Sequence, residues 1–555
     1  MTVWTRAVDH AGGSRLTAVS VRYVNTVTYT YDSAGRKKTE GLTISGQTYT
    51  TTMAYNGKGE LTGYTYPDGT AVGRTYTARG ELYQLTHAGT TIDTRVYDNG
   101  GRMTSSNSLS NTHRFRPTGR FSRSNQLLRT VENNGVSETR AYNTDNTLAS
   151  ISFTGASIGN LTYGWDANKN KTSEAIAGTM SNYGFTVPAN GYDSEDRLVG
   201  FNRTSGLTQS WNLSPVGDWN SVTTNGTAQA RTHGPTHELL TAGGQNVSTD
   251  AKGNITLIPS GLRPNASSLS SVWDFDNRLN TADVGNNGSI DVTYKFDALG
   301  RRVFRDDGTT ATIYVQAGQQ TIADYTAGTA AASPTHRYVY ASYIDEPVLR
   351  FKPSGSETLY YHRNQQCSVV ALTNATAAII ERYAYTAYGV PTITNDAGTV
   401  LPIGSVNNRY MYTGREWDSV IAQYYYRARM YDPSLGRFAS RDPISNYVSA
   451  IKYVLAAGNP IKRLDPSGMI MINAEIKAFI SSRHDPDGDG WIPAEPSGIS
   501  RHYFGTDKRL GGQPGTSRVA KMMAIDSCDI GRSAPFSFPP YSDPTRWGEL
   551  NSRTL

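Results

Sequence analysis

The chain alternates apolar and polar residues over short runs that are separated by turn-forming residues. A period of two places every second side chain on the same face of a strand, which is the pattern of a half-buried β-strand. Thr, Val and Tyr fill these runs, while 54 Gly and many Asn and Asp separate them. Tyr outnumbers Phe by 35 to 14, so we expect half-buried rings whose hydroxyls stay in water. The pattern predicts an all-β protein of short strands and tight turns.

A repeated motif, aromatic–Asp–x–x–Gly–Arg, organises the predicted strands. Its clearest copies begin at Tyr31, Tyr97, Tyr192 and Phe296, and spacings of 24, 21 and 21 residues separate Tyr31, Tyr55, Tyr76 and Tyr97. We expect each copy to be a β-hairpin: the Asp caps the turn, the Gly supplies a positive φ, and the Arg reaches the Asp or neighbouring carbonyls. One hairpin cannot bury a face alone, so successive hairpins should stack into a sheet. Between residues 205 and 265 the motif weakens, and we expect loop-rich repeats there.

A denser pattern in residues 338–469 ends in Asp442-Pro443 and Asp465-Pro466, whose aspartates are 23 residues apart. Residues 431–443 read Tyr-Asp-Pro-Ser-Leu-Gly-Arg-Phe-Ala-Ser-Arg-Asp-Pro, and residues 459–469 read Asn-Pro-Ile-Lys-Arg-Leu-Asp-Pro-Ser-Gly-Met. With the preceding repeats, these runs resemble the core signature of Rhs (YD-repeat) proteins. That family includes bacterial polymorphic toxins and, more distantly, the shells of insecticidal toxin complexes and teneurins.

The resemblance covers residues 20–469 and implies three units. Residues 1–337 would be a YD-repeat β-hairpin array that curls into a partial shell. Residues 338–469 would be the Rhs repeat-associated core, and residues 470–555 a small, mixed and variable C-terminal segment that is either an effector or a remnant.

The resemblance assigns the two aspartates to a single self-cleavage. It places Asp442 and Asp465 at the catalytic positions and the cleaved bond between Met469 and Ile470. Two carboxyl groups within hydrogen-bonding distance share a proton, so one can act as a base on water and the other as an acid toward the scissile carbonyl. Asp-Pro is also ordinary in turns, where the Asp accepts a backbone N–H, and this alternative stays open for each dipeptide.

Two arginines, Arg429 and Arg441, are candidates for orienting a carboxylate. Met469 stands where the family usually has Leu, a change that an apolar pocket tolerates because the volumes are similar. Such a reaction turns over once, so the protein would be a single-turnover aspartic autoprotease rather than an enzyme acting on an external substrate.

The resemblance therefore predicts a polymorphic toxin carrier whose shell encapsulates a C-terminal effector and releases it by cleavage after Met469. A second interpretation remains open, in which the repeats belong to a non-enzymatic surface or secreted protein that binds glycans or proteins. The family implies an immunity protein and secretion machinery as partners, and we expect a monomer.

Charge and cysteine content narrow the function further. The net charge of +6 is spread over turn arginines in residues 1–469, so we expect no nucleic-acid or membrane binding by the shell. Cys367 and Cys528 are the two cysteines, which excludes a disulfide framework and a Cys-ligated zinc site. The start has no signal-peptide pattern, so we expect secretion or surface display by another route, or a piece of a longer protein.

One metal site is suggested in the C-terminal segment. Asp485, Asp487 and Asp489, followed by Gly490, match the first half of an EF-hand calcium loop. Glu495 sits one residue too early for the bidentate position, so a tight Asp/Gly turn explains the pattern equally well. No other cofactor is predicted.

Overall fold

A computed structural model describes residues 2–8, 14–21, 25–97, 103–108, 111–116, 126–131, 134–340, 345–355, 357–443, 452–469 and 472–473. These residues form 44 β-strands and five short 3₁₀ helices, and their strands pair in antiparallel fashion. The predicted all-β class is confirmed. The described residues belong to one compact unit, residues 1–486. Within these ranges there is no helix of the length and apolarity needed to cross a membrane.

Within each sheet, strands that follow one another in sequence pair, so the sheets are meanders. The first sheet contains β1 (Thr2–Val8), β2 (Ser14–Val21), β3 (Asn25–Tyr31), β4 (Lys37–Ile44), β5 (Gln47–Tyr55), β6 (Leu61–Thr65), β7 (Ala71–Tyr76), β8 (Leu82–His87), β9 (Thr90–Tyr97), β10 (Met103–Ser108), β11 (Asn111–Arg116), β12 (Gln126–Val131), β13 (Ser137–Tyr142), β14 (Leu148–Thr154), β15 (Leu161–Trp165), β16 (Lys171–Ile176), β17 (Phe185–Thr186), β18 (Gly200–Arg203), β19 (Thr208–Leu213), β20 (Trp219–Thr224), β21 (Thr227–His233), β22 (Leu239–Ala242) and β23 (Gln245–Asn246).

A second sheet continues the meander toward the core signature. It contains β24 (Ser248–Thr249), β25 (Ile255–Ile258), β26 (Leu269–Trp273), β27 (Leu279–Val284), β28 (Val292–Phe296), β29 (Arg302–Asp306), β30 (Ala311–Ala317), β31 (Gln320–Thr326), β32 (His336–Tyr340), β33 (Pro347–Lys352), β34 (Glu357–Arg363), β35 (Val369–Thr373), β36 (Ile379–Tyr385), β37 (Pro391–Thr394) and β38 (Val400–Leu401). Strand β32 crosses the predicted boundary at residue 337 without a break in this sheet, and the division into units stays a prediction.

Two small sheets hold the signature itself. They contain β39 (Glu416–Asp418), β40 (Gln423–Tyr426), β41 (Arg429–Asp432) and β42 (Arg437–Phe438), and then β43 (Arg463–Leu464) and β44 (Ile472–Asn473). The 3₁₀ helices are Gly178–Tyr183, Ser260–Leu262, Pro353–Gly355, Tyr412–Gly414 and Ala456–Gly458.

The repeated motif forms the turn expected of it. Asp32 Oδ1 accepts the Arg36 N–H at 2.9 Å, and Arg36 Nε donates to Asp32 Oδ2 at 2.7 Å. Gly35 has a φ of +83°, which favours glycine because a Cβ is strained there. The Arg36 Nη1 also donates to the Asn56 carbonyl of the next turn, at 2.7 Å. The copy that begins at Tyr97 has its turn outside the described residues.

The arginine of one turn therefore ties successive turns together. Arg278 pairs with Asp274 in its own turn at 3.1 Å and donates to the Asp297 carbonyl of the next turn at 3.3 Å. Arg301 in turn pairs with Asp297 at 2.7 Å and donates to the Gly318 carbonyl at 3.0 Å. Because the motif recurs along the chain, its arginines form a series of hydrogen bonds from one turn to the next along the edge of the sheet.

The expectation of loop-rich repeats between residues 205 and 265 is wrong. Seven strands, β19 to β25, lie in this stretch. They are anchored by the buried side chains of Trp211, Trp219, Leu239 and Ile255. The apolar residues are few, but those of β19, β20, β22 and β25 are buried and anchor this stretch.

The expectation of half-buried tyrosines is also wrong for residues 338–469. The buried aromatic cluster there consists of Tyr338, Tyr340, Tyr361, Tyr383, Tyr410, Tyr412, Tyr424, Tyr426 and Tyr431, with Phe438. Their hydroxyls find partners inside the protein. Tyr424 Oη donates to the Gly389 carbonyl at 2.9 Å, and Tyr338 Oη donates to Asp324 at 2.8 Å. Internal acceptors replace water, so the rings can be buried without leaving a polar group unbonded.

Buried ion pairs join the small sheet of β39 to β42 to the second sheet. Glu416 Oε2 lies 2.6 Å from Arg302 Nη2 and 3.0 Å from Arg409 Nε. Asp418 Oδ2 lies 2.6 Å from Arg305 Nε. These charges hold the signature strands against the repeat array.

Candidate active site

Arg429, the first residue of β41, lies between the two predicted catalytic aspartates. Its Nη2 is 3.3 Å from Asp442 Oδ2 and 3.3 Å from Asp465 Oδ2. Its Nε donates to the Gly468 carbonyl, and its Nη1 donates to the Lys452 carbonyl at 3.0 Å. One guanidinium therefore brings together both aspartates and the backbone next to the predicted cleavage site.

The aromatic core holds this guanidinium in place. The Arg429 Cζ lies 3.6 Å from the centroid of the Phe438 ring, and Phe438 pairs with Tyr431 across β41 and β42. The Arg429 side chain is almost fully buried. Burial lowers the pKa of Arg429, and the charges of Asp442 and Asp465 oppose that shift. A buried cation of this kind depends on its carboxylate partners.

Asp465 is the first residue of the loop that joins β43 to β44. These two strands pair through Leu464 and Ile472. Asp465 Oδ1 accepts the Met469 N–H at 3.1 Å. Gly468 has a φ of +71°, which completes a tight turn immediately before the predicted cleavage site. The turn role left open by the sequence is therefore present at Asp465, together with the contact to the buried arginine.

This turn has the spacing of the repeat turns. In both, the Asp Oδ1 accepts an N–H four residues later, from Arg36 to Asp32 and from Met469 to Asp465. In the repeat turn, the arginine four residues after the aspartate also pairs with it, whereas Met469 at the same position is uncharged. Arg429, from a different strand, takes the place of the missing arginine.

The pKa of the aspartate differs between the repeat turn and the Asp465 turn. The hydrogen bond from Arg36 is the main cause that lowers the pKa of Asp32. The pKa of Asp465 is instead raised from 3.8 to about 6, chiefly by burial and also by the charge of Asp442, against the opposing effect of Arg429. A carboxyl group that keeps its proton near pH 6 can act as an acid under mild conditions.

The two aspartates differ in exposure. The Asp442 side chain is 22% exposed and that of Asp465 is 4% exposed. The Asp442 N–H donates to the Lys452 carbonyl at 2.9 Å, and Arg429 Nη1 donates to the same carbonyl. One carboxyl group is thus open to water, while the other is enclosed.

Arg441, the second arginine candidate, points elsewhere. Its Nε donates to Tyr453 Oη at 3.1 Å, and its Nη2 donates to Thr236. In the part of the chain that the structure describes, it is Arg429 that contacts the two aspartates.

The sequence analysis did not identify a second group of charged side chains that contacts the Asp465 turn. Arg427 Nη1 donates to the Pro466 carbonyl, and Arg427 Nη2 lies 2.8 Å from Asp345 Oδ1. Arg415 Nη1 lies 2.5 Å from the same oxygen. Asp345 is more than a hundred residues earlier in the chain, so no local pattern could have indicated it.

The predicted calcium ligands Asp485, Asp487 and Asp489 lie outside the described residues. Within the described ranges, no group of three or more His, Cys, Asp or Glu side chains is arranged to hold a metal ion.

Comparison with known proteins gives distant sequence relatives. No protein-family model matches the chain. The tRNA nuclease WapA of Bacillus subtilis (strain 168) is 24% identical over 341 residues, which are 60% of this chain and 14% of WapA. Salivary gland surface protein 1 of Aedes aegypti is 36% identical over 93 residues, 16% of this chain and 3% of that protein. The chain thus spans a small part of the length of each.

Solved structures share the fold over most of the chain. The crystal structure of TcdB2-TccC3-TEV has a TM-score of 0.60 at 17% identity and covers 84% of this chain and 26% of that chain. The Photorhabdus luminescens Tc holotoxin pore has a TM-score of 0.60 at 16% identity, with 90% and 26% covered.

The meandering hairpins, their Asp–Arg turns and this structural likeness define a YD-repeat β-hairpin protein. These likenesses support the resemblance to the Rhs (YD-repeat) family that the core signature predicted.

Proposed function

We propose that this protein cleaves itself once, between Met469 and Ile470, with Asp442 and Asp465 as the catalytic pair. The contact of Arg429 with both carboxyl groups is the observation that supports this most strongly. The same guanidinium bonds to the Gly468 carbonyl, one residue before the one whose carbonyl would be attacked.

The exposure of the two groups and the raised pKa of Asp465 suggest their roles. Asp442, the more exposed carboxylate, takes a proton from a water molecule, whose oxygen bonds to the carbonyl carbon of Met469. Protonated Asp465 donates its proton to the carbonyl oxygen. When the tetrahedral intermediate collapses, protonated Asp442 gives its proton to the Ile470 nitrogen and the C–N bond breaks. One hydroxyl of the intermediate returns its proton to Asp465, which leaves a new carboxylic acid and a new amine.

The experiment is mass spectrometry of the expressed chain. We expect a fragment beginning at Ile470, and an intact chain for Asp442→Asn and for Asp465→Asn. Asp432→Asn is the matched control because Asp432 also precedes a proline and is buried, but bonds to Gln423 and to the backbone N–H groups of residues 434 and 435. The control should cleave normally. An intact wild-type chain would contradict the proposal.

We further propose that the chain is the carrier region of a secreted or surface-delivered polymorphic toxin, with residues 470–555 as its effector. The support is the likeness to WapA nucleases and to TccC3-containing complexes. An immunity protein and secretion machinery would be its partners. If the repeat array encloses the effector, the fragment beginning at Ile470 should co-elute with residues 1–469 on size exclusion and separate only in denaturant.

The likeness to a salivary gland surface protein favours a second candidate, a non-enzymatic surface protein that binds glycans or proteins. Mass spectrometry distinguishes the two candidate functions, because a non-enzymatic surface protein would remain a single intact chain.

A further inference from the structure

A cavity of about 280 Å³ lies against β19, β20 and β21. Its wall includes Trp211, Trp219 and Arg231, one from each strand, and Tyr388 and Pro433 from later turns. None of the residues of the candidate active site lines it. Its volume is close to the lower limit of cavities that bind small organic molecules.

Arg231 is a buried cation whose hydrogen-bond acceptors are uncharged. Its Nε donates to Gln229 Oε1 at 3.1 Å, and its Nη1 donates to the Leu435 carbonyl at 2.7 Å. Neither acceptor is charged, and within the described residues Arg231 forms no ion pair. The side chain is 7% exposed, and its Cζ lies 4.5 Å from the Trp219 ring centroid. Burying an unpaired charge is costly, so a site of this kind favours an anionic ligand.

A second guanidinium in the wall adds positive charge. Arg263 Nη1 lies 3.7 Å from Asp432 Oδ2, and among the described residues neither Nη1 nor Nη2 of Arg263 has a hydrogen-bond partner. The Asp432 carboxylate already accepts hydrogen bonds from Gln423 and from the backbone N–H of Ser434. The charge of Asp432 acts on both Arg263 and Arg231, so one carboxylate offsets two guanidinium groups and the wall has an excess positive charge.

The rest of the wall suits the body of an organic ligand. The rings of Trp211, Trp219 and Tyr388 pack with centroids 4.6 to 5.7 Å apart. In the part of the chain that the structure describes, the Trp211 indole N–H has no hydrogen-bond partner, nor does Gln209 Oε1. The wall therefore combines aromatic surface, a surplus of N–H donors and positive charge.

We propose that this cavity binds a small organic oxyanion, a carboxylate or phosphate attached to a ring-shaped or apolar body, with Arg231 pairing with the anionic group. Burial and the nearby Arg437 lower the pKa of Arg231 to about 9, and a bound anion would reverse that shift. The proposal does not depend on self-cleavage.

Calorimetric titration of the full chain tests it, with phosphate, benzoate and glucuronate as probes and with glucose and benzyl alcohol as uncharged counterparts. We expect saturable binding of at least one anion and none of the uncharged molecules. Arg231→Met should weaken anion binding by at least about tenfold, and Arg231→Lys should retain part of it. Quenching of tryptophan fluorescence, lost in Trp211→Phe, would place the anion in this cavity.

Arg203→Met is the matched control, because Arg203 is buried to a similar degree and its pKa is also lowered by burial, but it does not line the cavity. It should leave anion binding within about twofold of wild type. Unfolding curves show whether each variant is folded. The proposal is wrong if none of the three anions binds, or if folded Arg231→Met binds them as well as wild type does.

Discussion

The rate of self-cleavage should fall as the pH rises through about 6, since the reaction requires protonated Asp465. Burial and the charge of Asp442 favour the protonated carboxyl group and outweigh Arg429, which gives the pKa of about 6. Above its pKa, the protonated fraction of a carboxyl group falls about tenfold for each pH unit. The rate constant at about pH 8 should therefore be on the order of 100-fold below that at about pH 5.

The assay begins with radiolabelled chain made by cell-free synthesis under alkaline conditions, in which little cleavage is expected. Samples are diluted into buffers between about pH 5 and pH 8.5, and loss of intact chain is followed on denaturing gels as a single exponential. Circular dichroism at each pH checks that the chain remains folded.

Two variants make the result decisive. Asp465→Asn cannot donate the proton and should stay intact at every pH, whereas Asp432→Asn should have the wild-type pH profile. A rate that is constant over this range, or that rises with pH in a chain that remains folded, would refute the role of Asp465 as the acid.

Three further substitutions test the surrounding structure. Arg429→Lys should slow cleavage on gels by at least about 100-fold, because one ammonium group cannot bond to two carboxylates and two carbonyls, and near-normal cleavage would contradict this. Gly468→Ala should prevent cleavage, since its φ is +71° and an added Cβ would lie 2.3 Å from the Tyr426 carbonyl oxygen; normal processing would show that the turn is not needed. Glu416→Gln should lower the free energy of unfolding in urea by about 3 to 5 kcal/mol, because it leaves the buried Arg302 without its carboxylate partner, and a loss below about 1 kcal/mol would refute this.

Much of the fold could be predicted from local sequence. The turn of Asp32, Gly35 and Arg36 is built from hydrogen bonds within five residues, so the motif specifies it wherever the motif occurs. Strand alternation is equally local. The stretch from 205 to 265 was mispredicted because Trp211 and Trp219 are isolated in sequence and become anchors only when neighbouring strands bury them.

The candidate site was predicted only in part. The family resemblance indicated Asp442 and Asp465, and the closeness of Arg429 in sequence made it a candidate. Local sequence does not favour Arg429 over Arg441, since both are arginines near the aspartates. The preference comes from the pairing of β41 with β42, which places Arg429 on Phe438 and directs it toward the Asp465 turn.

The sequence by itself determined the class of the protein, the hairpin repeat and the position of the signature, because each depends on residues close together along the chain. Only the tertiary structure decided how that signature differs from an ordinary repeat turn. Asp465 has the backbone turn of Asp32, but its partner comes from another strand and its carboxyl group is enclosed. Acidity depends on burial and on charges brought from distant segments, so the same local motif can be an ionised turn cap at one position and a proton-holding acid at another.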